Sequence, residues 1–181
     1  MTSEQKVKSR IANDLKDHVV TALRNDGLYR HYRCAKPKDS SMSFEVITWP
    51  GALCYTGDMG DYLFQRTNDM IAFMRGSCMS YCYVAEKCVA YGREGIKEFS
   101  AIEMERELAQ VVAEADSDEI EDAIEKADEI RSAAEDGEYY AIEAMRDSDL
   151  WDCADMPSCE DYTFHFLWCL HAMKWFCERV E

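Results

Sequence analysis

The sequence has few of the features that mark a secreted, membrane-spanning or metal-binding protein. Its first ten residues, MTSEQKVKSR, contain no apolar segment of the kind that a secretory signal requires. The most apolar stretch, near the C-terminus, carries His165, His171 and Lys174, so it is too short and polar to span a bilayer. The nine cysteines are odd in number and form no Cys-x-x-Cys pair. We therefore expect a soluble, cytosolic protein whose reduced thiols mostly serve as small core residues.

Basic residues are almost missing from one part of the chain. Residues 98–161 contain 4 Lys/Arg and 23 Asp/Glu, whereas residues 1–97 contain 14 and 11. The acidity of the 181-residue chain, with its formal charge of −16, is thus concentrated in one block. Such a block argues against non-specific binding to nucleic acid, which depends on basic surface. It suits a basic protein partner, or it only keeps the chain soluble.

Two turn signals, Pro50-Gly51 and Gly57-Asp58-Met59-Gly60, separate short runs rich in β-branched and aromatic residues. Connections this short allow only hairpins between neighbouring strands. A short helix over 68–75, capped by Thr67, is expected to follow the last run. We predict a meander of four antiparallel strands, over Leu28–Cys34, Phe44–Trp49, Ala52–Thr56 and Tyr62–Gln65.

Apolar residues at helical spacing predict most of the remaining structure. A first helix, capped by Ser3 or Thr2, is expected to reach about Asn25, and another is expected over Ser80–Tyr91. Three more are expected over about 101–115, 116–136 and 138–146. A last helix, about Cys159–Arg179, is apolar nearly all round, as is typical of the centre of a fold, and a capping box at Ser158–Asp161 opens it. The predicted class is α+β: a small antiparallel β-meander packed against several helices, including a buried C-terminal helix.

The length of the chain predicts a single domain, 1–181. Within it, residues 1–97 supply the N-terminal helix, the meander and further helices. Residues 98–157 form an acidic helical insertion, and residues 158–181 form the buried C-terminal helix.

Few residues suggest catalysis or metal binding. Cys78, Cys82 and Cys88, or His165 with Cys169 one helical turn away, could contribute to a tetrahedral metal site. Their aromatic surroundings favour buried, reduced cysteines instead. Cys169 beside a histidine is the only local nucleophile candidate, and core histidines bonded to backbone or tyrosine are the preferred interpretation. We therefore predict no catalytic residue, no metal and no cofactor.

Basic and aromatic residues alternate in the predicted sheet, a pattern that can hold single-stranded nucleic acid. Cation–π support within the sheet explains the same pattern, and the acidic block would oppose a polyanion. The residues concerned are Arg30, Arg33, Lys36, Lys38 and Arg66, with Tyr29, Tyr32, Trp49 and Tyr62.

Carboxylates recur in long rows on the predicted acidic helices. The simplest interpretation is a solvated helical face that tolerates like charges. Alternatively, ordered rows of carboxylates imitate duplex phosphates and occupy a basic groove on a nucleic-acid-binding partner, which they would steer at low salt. The candidate contacts are Glu103, Glu107 and Glu114 on one helix, and Asp118, Asp122, Glu125 and Glu129 on the next.

Two stretches resemble the signature sequences of a family of small, uncharacterised proteins encoded by tailed phages and prophages. They are Thr48–Arg75 and Glu160–Phe176, and the acidic middle is not covered. The matching positions are Trp49-Pro50-Gly51, Gly57-Asp58-Met59-Gly60, Asp69-Met70 and Asp161-Tyr-Thr-Phe-His-Phe-Leu-Trp168. The resemblance implies a phage accessory gene, a class that often blocks host defences, and it brings no established catalytic residues.

The preferred hypothesis is a non-enzymatic phage inhibitor of a host nucleic-acid-dependent defence effector, with a CRISPR nuclease as the first candidate. Its acidic helices would contact a groove lined by Lys and Arg, so we expect a basic nucleic-acid-binding host protein as partner. Neither a membrane nor nucleic acid itself is expected to bind. The alternative is a phage recombination or replication accessory protein that binds single strands through the sheet. An enzyme ranks third.

Overall fold

The computed structural model describes residues 1–76, 80–152 and 154–180, which form two compact units. Unit 1 comprises Met1–Lys97 and the C-terminal segment from Tyr162, and unit 2 comprises Glu98–Asp161. Unit 2 therefore interrupts unit 1 in sequence, close to the predicted range 98–157. In the part of the chain described, no helix has the length and apolar character needed to cross a membrane.

Unit 1 is built on one antiparallel sheet of six strands whose spatial order follows the chain. The strands are β1 (Val19–Asp26), β2 (Tyr29–Lys36), β3 (Asp39–Trp49), β4 (Ala52–Gly57), β5 (Gly60–Gln65) and β6 (Cys88–Tyr91). The predicted meander corresponds to β2–β5, so the predicted fold class is confirmed.

The turn between β4 and β5 shows why glycine is needed in this meander. Gly57 pairs with Gly60 across the turn, and its neighbour Asp58 donates its backbone N–H to the Ser43 carbonyl at 3.1 Å. A Cβ added to Gly57 would lie 2.4 Å from that carbonyl oxygen, so β3 and β4 could not approach as closely.

The two outer strands were not predicted. The first helix, predicted to reach about Asn25, ends at Asp14 and is followed by β1, and the C-terminal part of the predicted helix Ser80–Tyr91 forms β6. Both segments are rich in β-branched or aromatic residues, which pack well in strands. Each also meets the free edge of a neighbouring strand, β2 or β5, whose backbone groups need partners.

The helices of unit 1 are α1 (Ser3–Asp14), α2 (Met70–Arg75), α3 (Tyr81–Ala85) and α7 (Phe164–Cys177). The predicted capping boundaries need two corrections. The side chain of Asp69, rather than Thr67, caps α2 by accepting from the Ile71 and Ala72 amides. Thr163 caps α7, since Glu160–Tyr162 forms a short strand in place of the predicted helix start.

The C-terminal helix α7 packs against α1, α2 and the sheet, and most of its residues are buried. Its central tryptophan, Trp168, has no exposed surface, and the indole N–H donates to Asp14 Oδ2 at 3.0 Å. Phe44 on β3 meets Trp168 edge-on and stacks on Tyr55. The prediction of a buried C-terminal helix is confirmed.

Unit 2 consists of α4 (Ala101–Glu114), α5 (Ile120–Asp136) and α6 (Glu138–Asp147) around a core of its own. The predicted bounds of these helices agree with the observed ones to within a few residues. A separate two-stranded sheet pairs β7 (Lys97–Phe99) with β8 (Glu160–Tyr162).

Candidate partner-binding surface

The helices of unit 2 are held by a small, mainly aliphatic core. Ser100 caps α4 by accepting a hydrogen bond from the Glu103 amide at 3.3 Å. Leu108 on α4 and Ile130 on α5 have no exposed surface, and Ala127 fits between helices because it is small. The acidic segment is thus an ordered helical unit with a packed core. Such a core is needed if the helices are to hold their carboxylates in fixed positions.

All four cations of unit 2 already have carboxylate partners within the unit. The shortest N···O distance of each pair lies between 2.5 and 2.8 Å. The pairs are Arg106 with Glu103 and Glu107, Lys126 with Asp122, Arg131 with Glu105 and Asp128, and Arg146 with Glu143. With every Lys and Arg of the unit already engaged, unit 2 keeps a large excess of negative charge.

Arg131 links α4 to α5, and its pKa is shifted more strongly than that of the other cations of unit 2. Its guanidinium donates to both oxygens of Glu105 and to Asp128 Oδ1 at 2.8 Å. Hydrogen bonding to Arg131 lowers the pKa of Glu105, and the two carboxylates raise the pKa of Arg131. This bridge fixes the two acidic helices against each other at one end.

Two of the seven predicted contact residues are only partly available. Glu103 and Glu107 are half-buried and share Arg106, each at 2.8 Å. Their negative charge is partly neutralised, so they are weaker candidates than the sequence pattern indicated.

Glu114 and Asp122 are brought together by the fold. They line the same surface groove of about 320 Å³, between α4, α5 and the segment after α6. Glu114 accepts a hydrogen bond from Gln110 at 3.0 Å, and Asp122 pairs with Lys126 at 2.8 Å. The groove therefore combines carboxylates from two helices with one cation.

Asp118, Glu125 and Glu129 are the most available of the predicted residues. All three are exposed, and none forms an ion pair with another residue in the described part of the chain. Glu125 and Glu129 are one turn apart on α5, while Asp118 precedes the helix. They form the part of the predicted set that a cation outside the chain can reach most easily.

The sequence pattern missed other exposed carboxylates of α5. Glu121, Glu135 and Asp136 are exposed, and no ion pair joins them to another described residue. On a helical wheel of residues 120–136, Glu121 lies beside Glu125, so Glu121 could have been predicted from the sequence. Exposed tyrosines, Tyr139 and Tyr140, follow at the start of α6 and meet edge-on.

The structure places the aromatic and basic residues of the predicted sheet in different environments. Tyr32 and Tyr62 are buried in the core of unit 1, at 5% and 1% exposure. Three of the five cations have carboxylate partners: Arg30 pairs with Asp69, Arg33 with Glu45 and Lys36 with Asp39. Trp49 and Tyr29 stay exposed.

The thiols of the described residues show no sign of activation. Cys34, Cys159, Cys169 and Cys177 are buried, and burial raises the pKa of each, to about 12 for Cys34 and about 11 for Cys159. A thiol held in the protonated form is a poor nucleophile and a poor metal ligand. Cys169 is therefore a core residue in this fold.

Of the cysteines predicted for a metal site, Cys78 lies outside the described residues. Cys82 is exposed and Cys88 is half-buried. Within 1–76, 80–152 and 154–180, no group of three or more His, Cys, Asp or Glu side chains is arranged to hold a metal. Among the histidines, His171 Nε2 lies 2.8 Å from the Tyr81 hydroxyl, and His18 Nε2 lies 3.0 Å from the Met42 carbonyl oxygen. The tyrosine partner of His171 agrees with the prediction for the histidines beside Cys169. The prediction is wrong for His165, which is half-exposed and has Glu94 Oε2 at 3.7 Å from its Nδ1.

Comparison with known proteins adds no assignment: no family model, no curated protein and no solved structure matches this chain. The resemblance of Thr48–Arg75 and Glu160–Phe176 to tailed-phage proteins stays a prediction.

Proposed function

We propose that this protein is a phage-encoded, non-enzymatic inhibitor that acts in the cytoplasm of a bacterial host. Unit 2 binds a host nucleic-acid-dependent defence effector, with a CRISPR nuclease as the first candidate, and its acidic helical face occupies a basic nucleic-acid groove. The supporting observation is the composition of a compact helical unit: 23 Asp/Glu against 4 Lys/Arg, with all four cations already paired.

The physical advantage of this arrangement lies in order as well as charge. The backbone of helices with a packed core is already ordered, so a partner that binds has to order only the carboxylate side chains, and less of the interaction energy is spent on ordering. A strongly negative surface also attracts a basic groove before contact, which raises the association rate at low salt. A disordered acidic tail would share only the second advantage.

The phage setting has separate support, which comes from the resemblance of the two signature stretches and not from unit 2. If the resemblance failed, the acidic unit would still suit a cationic nucleic-acid-binding partner, but the class of that partner would be open.

Charge reversal of the three most available carboxylates tests the mechanism. The variant Asp118→Lys, Glu125→Lys, Glu129→Lys should lose inhibition of a CRISPR nuclease in cells that target a plasmid, and it should no longer retain the effector in a pull-down. Because the three side chains are exposed, the midpoint of thermal unfolding should stay nearly unchanged.

A matched control changes the net charge equally on unit 1. The variant Asp17→Lys, Asp58→Lys, Glu86→Lys replaces exposed carboxylates there and should keep both inhibition and retention. If both triple variants lose activity alike, total charge rather than the unit 2 surface is responsible. Full inhibition by the unit 2 variant would refute the mechanism.

The alternative function, single-strand binding by a phage recombination or replication accessory protein, has less support because Tyr32 and Tyr62 are buried. It predicts binding of an oligonucleotide that weakens steeply as salt rises. Titration of the whole chain with a labelled single strand at low salt separates the two proposals, since the inhibitor is expected to show no binding.

A further inference from the structure

The first strand of the sheet leaves one of its backbone edges open. β1 (Val19–Asp26) pairs with β2 on one side, and within the described residues no strand pairs with its other side. All but one of its eight residues are exposed. A row of unpaired backbone N–H and C=O groups is a template for another strand. This edge therefore fits an extended segment from outside the sheet.

The two edges of the sheet differ in how well they resist such pairing. β6 (Cys88–Tyr91) has only four residues, and its pairing with β5 is irregular at Val89. Short and irregular edge strands are poor templates. In β1 the irregularity lies at Leu23, so Val19–Ala22 are regular, and none of these five residues carries a charge. The first half of β1 thus lacks the charges that commonly protect an edge strand.

This half of β1 is complementary to its own copy. Residues opposite each other in antiparallel strands point to the same face of the sheet, and successive residues alternate between faces. A two-fold axis that joins two copies of β1 in one sheet must therefore pass through a residue. An axis at Thr21 places threonine opposite threonine and Val20 opposite Ala22. It also brings Val19 near Leu23 of the second copy, and both are 53% exposed.

Neighbouring positions of the axis are less favourable. An axis at Val20 would use His18 for pairing, but His18 is buried and its Nε2 lies 3.0 Å from the Met42 carbonyl oxygen. An axis at Ala22 would carry the pairing past the irregularity at Leu23. An axis at Thr21 keeps most of the contact within the regular part of the strand.

We propose that β1 is a self-association surface: two copies of this chain pair their β1 strands antiparallel about a two-fold axis at Thr21, so that their sheets become continuous. Threonine pairs and apolar pairs across such strands are stabilising. The contact is small beside the roughly 1,000 Å² of buried surface that a specific stable interface needs, so the dimer is weak and forms at high protein concentration. The surface belongs to unit 1, so it can be tested whether or not unit 2 binds an effector.

Sedimentation equilibrium of the whole chain over a series of concentrations tests the surface. The wild-type chain should show a monomer–dimer equilibrium. Thr21→Glu should weaken the dimer about 5-fold or more, because it sets two carboxylates opposite each other across the axis, whereas within one copy the new side chain lies opposite Arg33. Val89→Glu, at an exposed position of β6, adds the same charge and should leave the dimer unchanged.

A mixture of Thr21→Glu with Thr21→Lys should restore the dimer, because opposite charges then face each other across the axis. A wild-type chain that stays monomeric at every concentration would overturn the proposal. Equal weakening by Thr21→Glu and Val89→Glu would do the same.

Disulfide trapping tests the position of the axis. Thr21→Cys, in a Cys82→Ser background that removes an exposed thiol, should form a covalent dimer under mild oxidation. Opposite Cα atoms in antiparallel strands lie about 4.5 or 5.5 Å apart, and a disulfide can span both distances. Val89→Cys in the same background is also exposed and should form much less covalent dimer. If Thr21→Cys forms no more covalent dimer than Val89→Cys, the proposed pairing is wrong.

Discussion

Unit 1 and unit 2 differ in what fills their cores and in what covers their surfaces. The fully buried side chains of unit 1 include Trp168 together with several Phe and Tyr, whereas the buried core of unit 2 consists of Met, Leu, Ala, Ile and one Cys. Residues 1–97 nearly balance their charges, but unit 2 combines its modest core with 23 Asp/Glu.

This contrast separates the part of the chain that maintains the fold from the part that carries charge. Aromatic side chains bury large areas, so we expect the core of unit 1 to supply most of the stability. Repulsion among carboxylates opposes compaction in unit 2, which has fewer buried groups to compensate for it. This loss of stability is acceptable if the negative charge of unit 2 serves to bind a partner.

The largest expected effect concerns the cores. Trp168→Ala should lower the free energy of unfolding by about 3–5 kcal/mol, since it creates a cavity and removes the N–H donor that Asp14 uses. Leu108→Ala, at the fully buried position in unit 2, should cost about 2–3 kcal/mol.

Urea denaturation measures the free energy of unfolding of each variant, and hydrogen exchange shows which backbone amides become exposed. Leu108→Ala should accelerate exchange in α4 and α5 more than in β3 and β4. A larger loss from Leu108→Ala than from Trp168→Ala would contradict the view that unit 1 supplies most of the stability.

A smaller effect is expected at Asp69, which joins α2 to the sheet. Arg30 donates to its two oxygens at 2.9 and 3.0 Å, and this hydrogen bonding lowers the pKa of Asp69 below 3.8. The folded state therefore binds the proton less tightly than the unfolded state. The stabilisation by ionised Asp69 is fully present above pH 3.8, the ordinary pKa of the side chain. It is lost as the pH falls through the lower pKa that Asp69 has in the folded protein.

Asp69→Asn should cost about 1 kcal/mol at neutral pH and progressively less below pH 4, as followed by urea denaturation at a series of pH values. Because Asn caps helices as well as Asp does, the loss reports the ion pair with Arg30 and not the cap. If Asp69→Asn lowers the free energy of unfolding equally at pH 3 and pH 7, the charge of Asp69 contributes nothing to stability.

The smallest effect concerns the bridge between α4 and α5. Arg131→Gln should destabilise unit 2 by no more than about 1 kcal/mol, because the pairs with Glu105 and Asp128 are exposed. The loss should shrink as salt is added, since salt screens the carboxylates that remain unpaired.

Hydrogen exchange of α4 and α5 at low and high salt measures this loss. Arg33→Gln on unit 1, which breaks an exposed pair with Glu45, serves as the control and should depend less on salt. If the loss of stability depends equally on salt in the two variants, the net charge of unit 2 does not lower its stability.

Much of the fold could be predicted because local signals agreed with the final structure. Pro50-Gly51 and the turn at 57–60 define hairpins by themselves, and α7 is apolar on every side, so it had to be buried. The candidate surface was predicted less well. The pairing of Arg106 with Glu103, three residues before it, could have been found from helical spacing. The meeting of Glu114 and Asp122 at one groove could not, because it depends on how α4 and α5 pack.

By itself, the sequence determined the meander, the burial of the C-terminal helix and the concentration of acidic residues in one segment, because turn chemistry, hydrophobic periodicity and charge are properties of neighbouring residues. Only the tertiary structure decided that Val19–Asp26 is a strand, since helical spacing and strand pairing compete there and the free edge of β2 supplies the backbone partners. It also decided that Arg131 on α5 pairs with Glu105 on α4, because only folding brings these distant residues together, whereas Glu103–Arg106 and Asp122–Lys126 are local pairs along one helix.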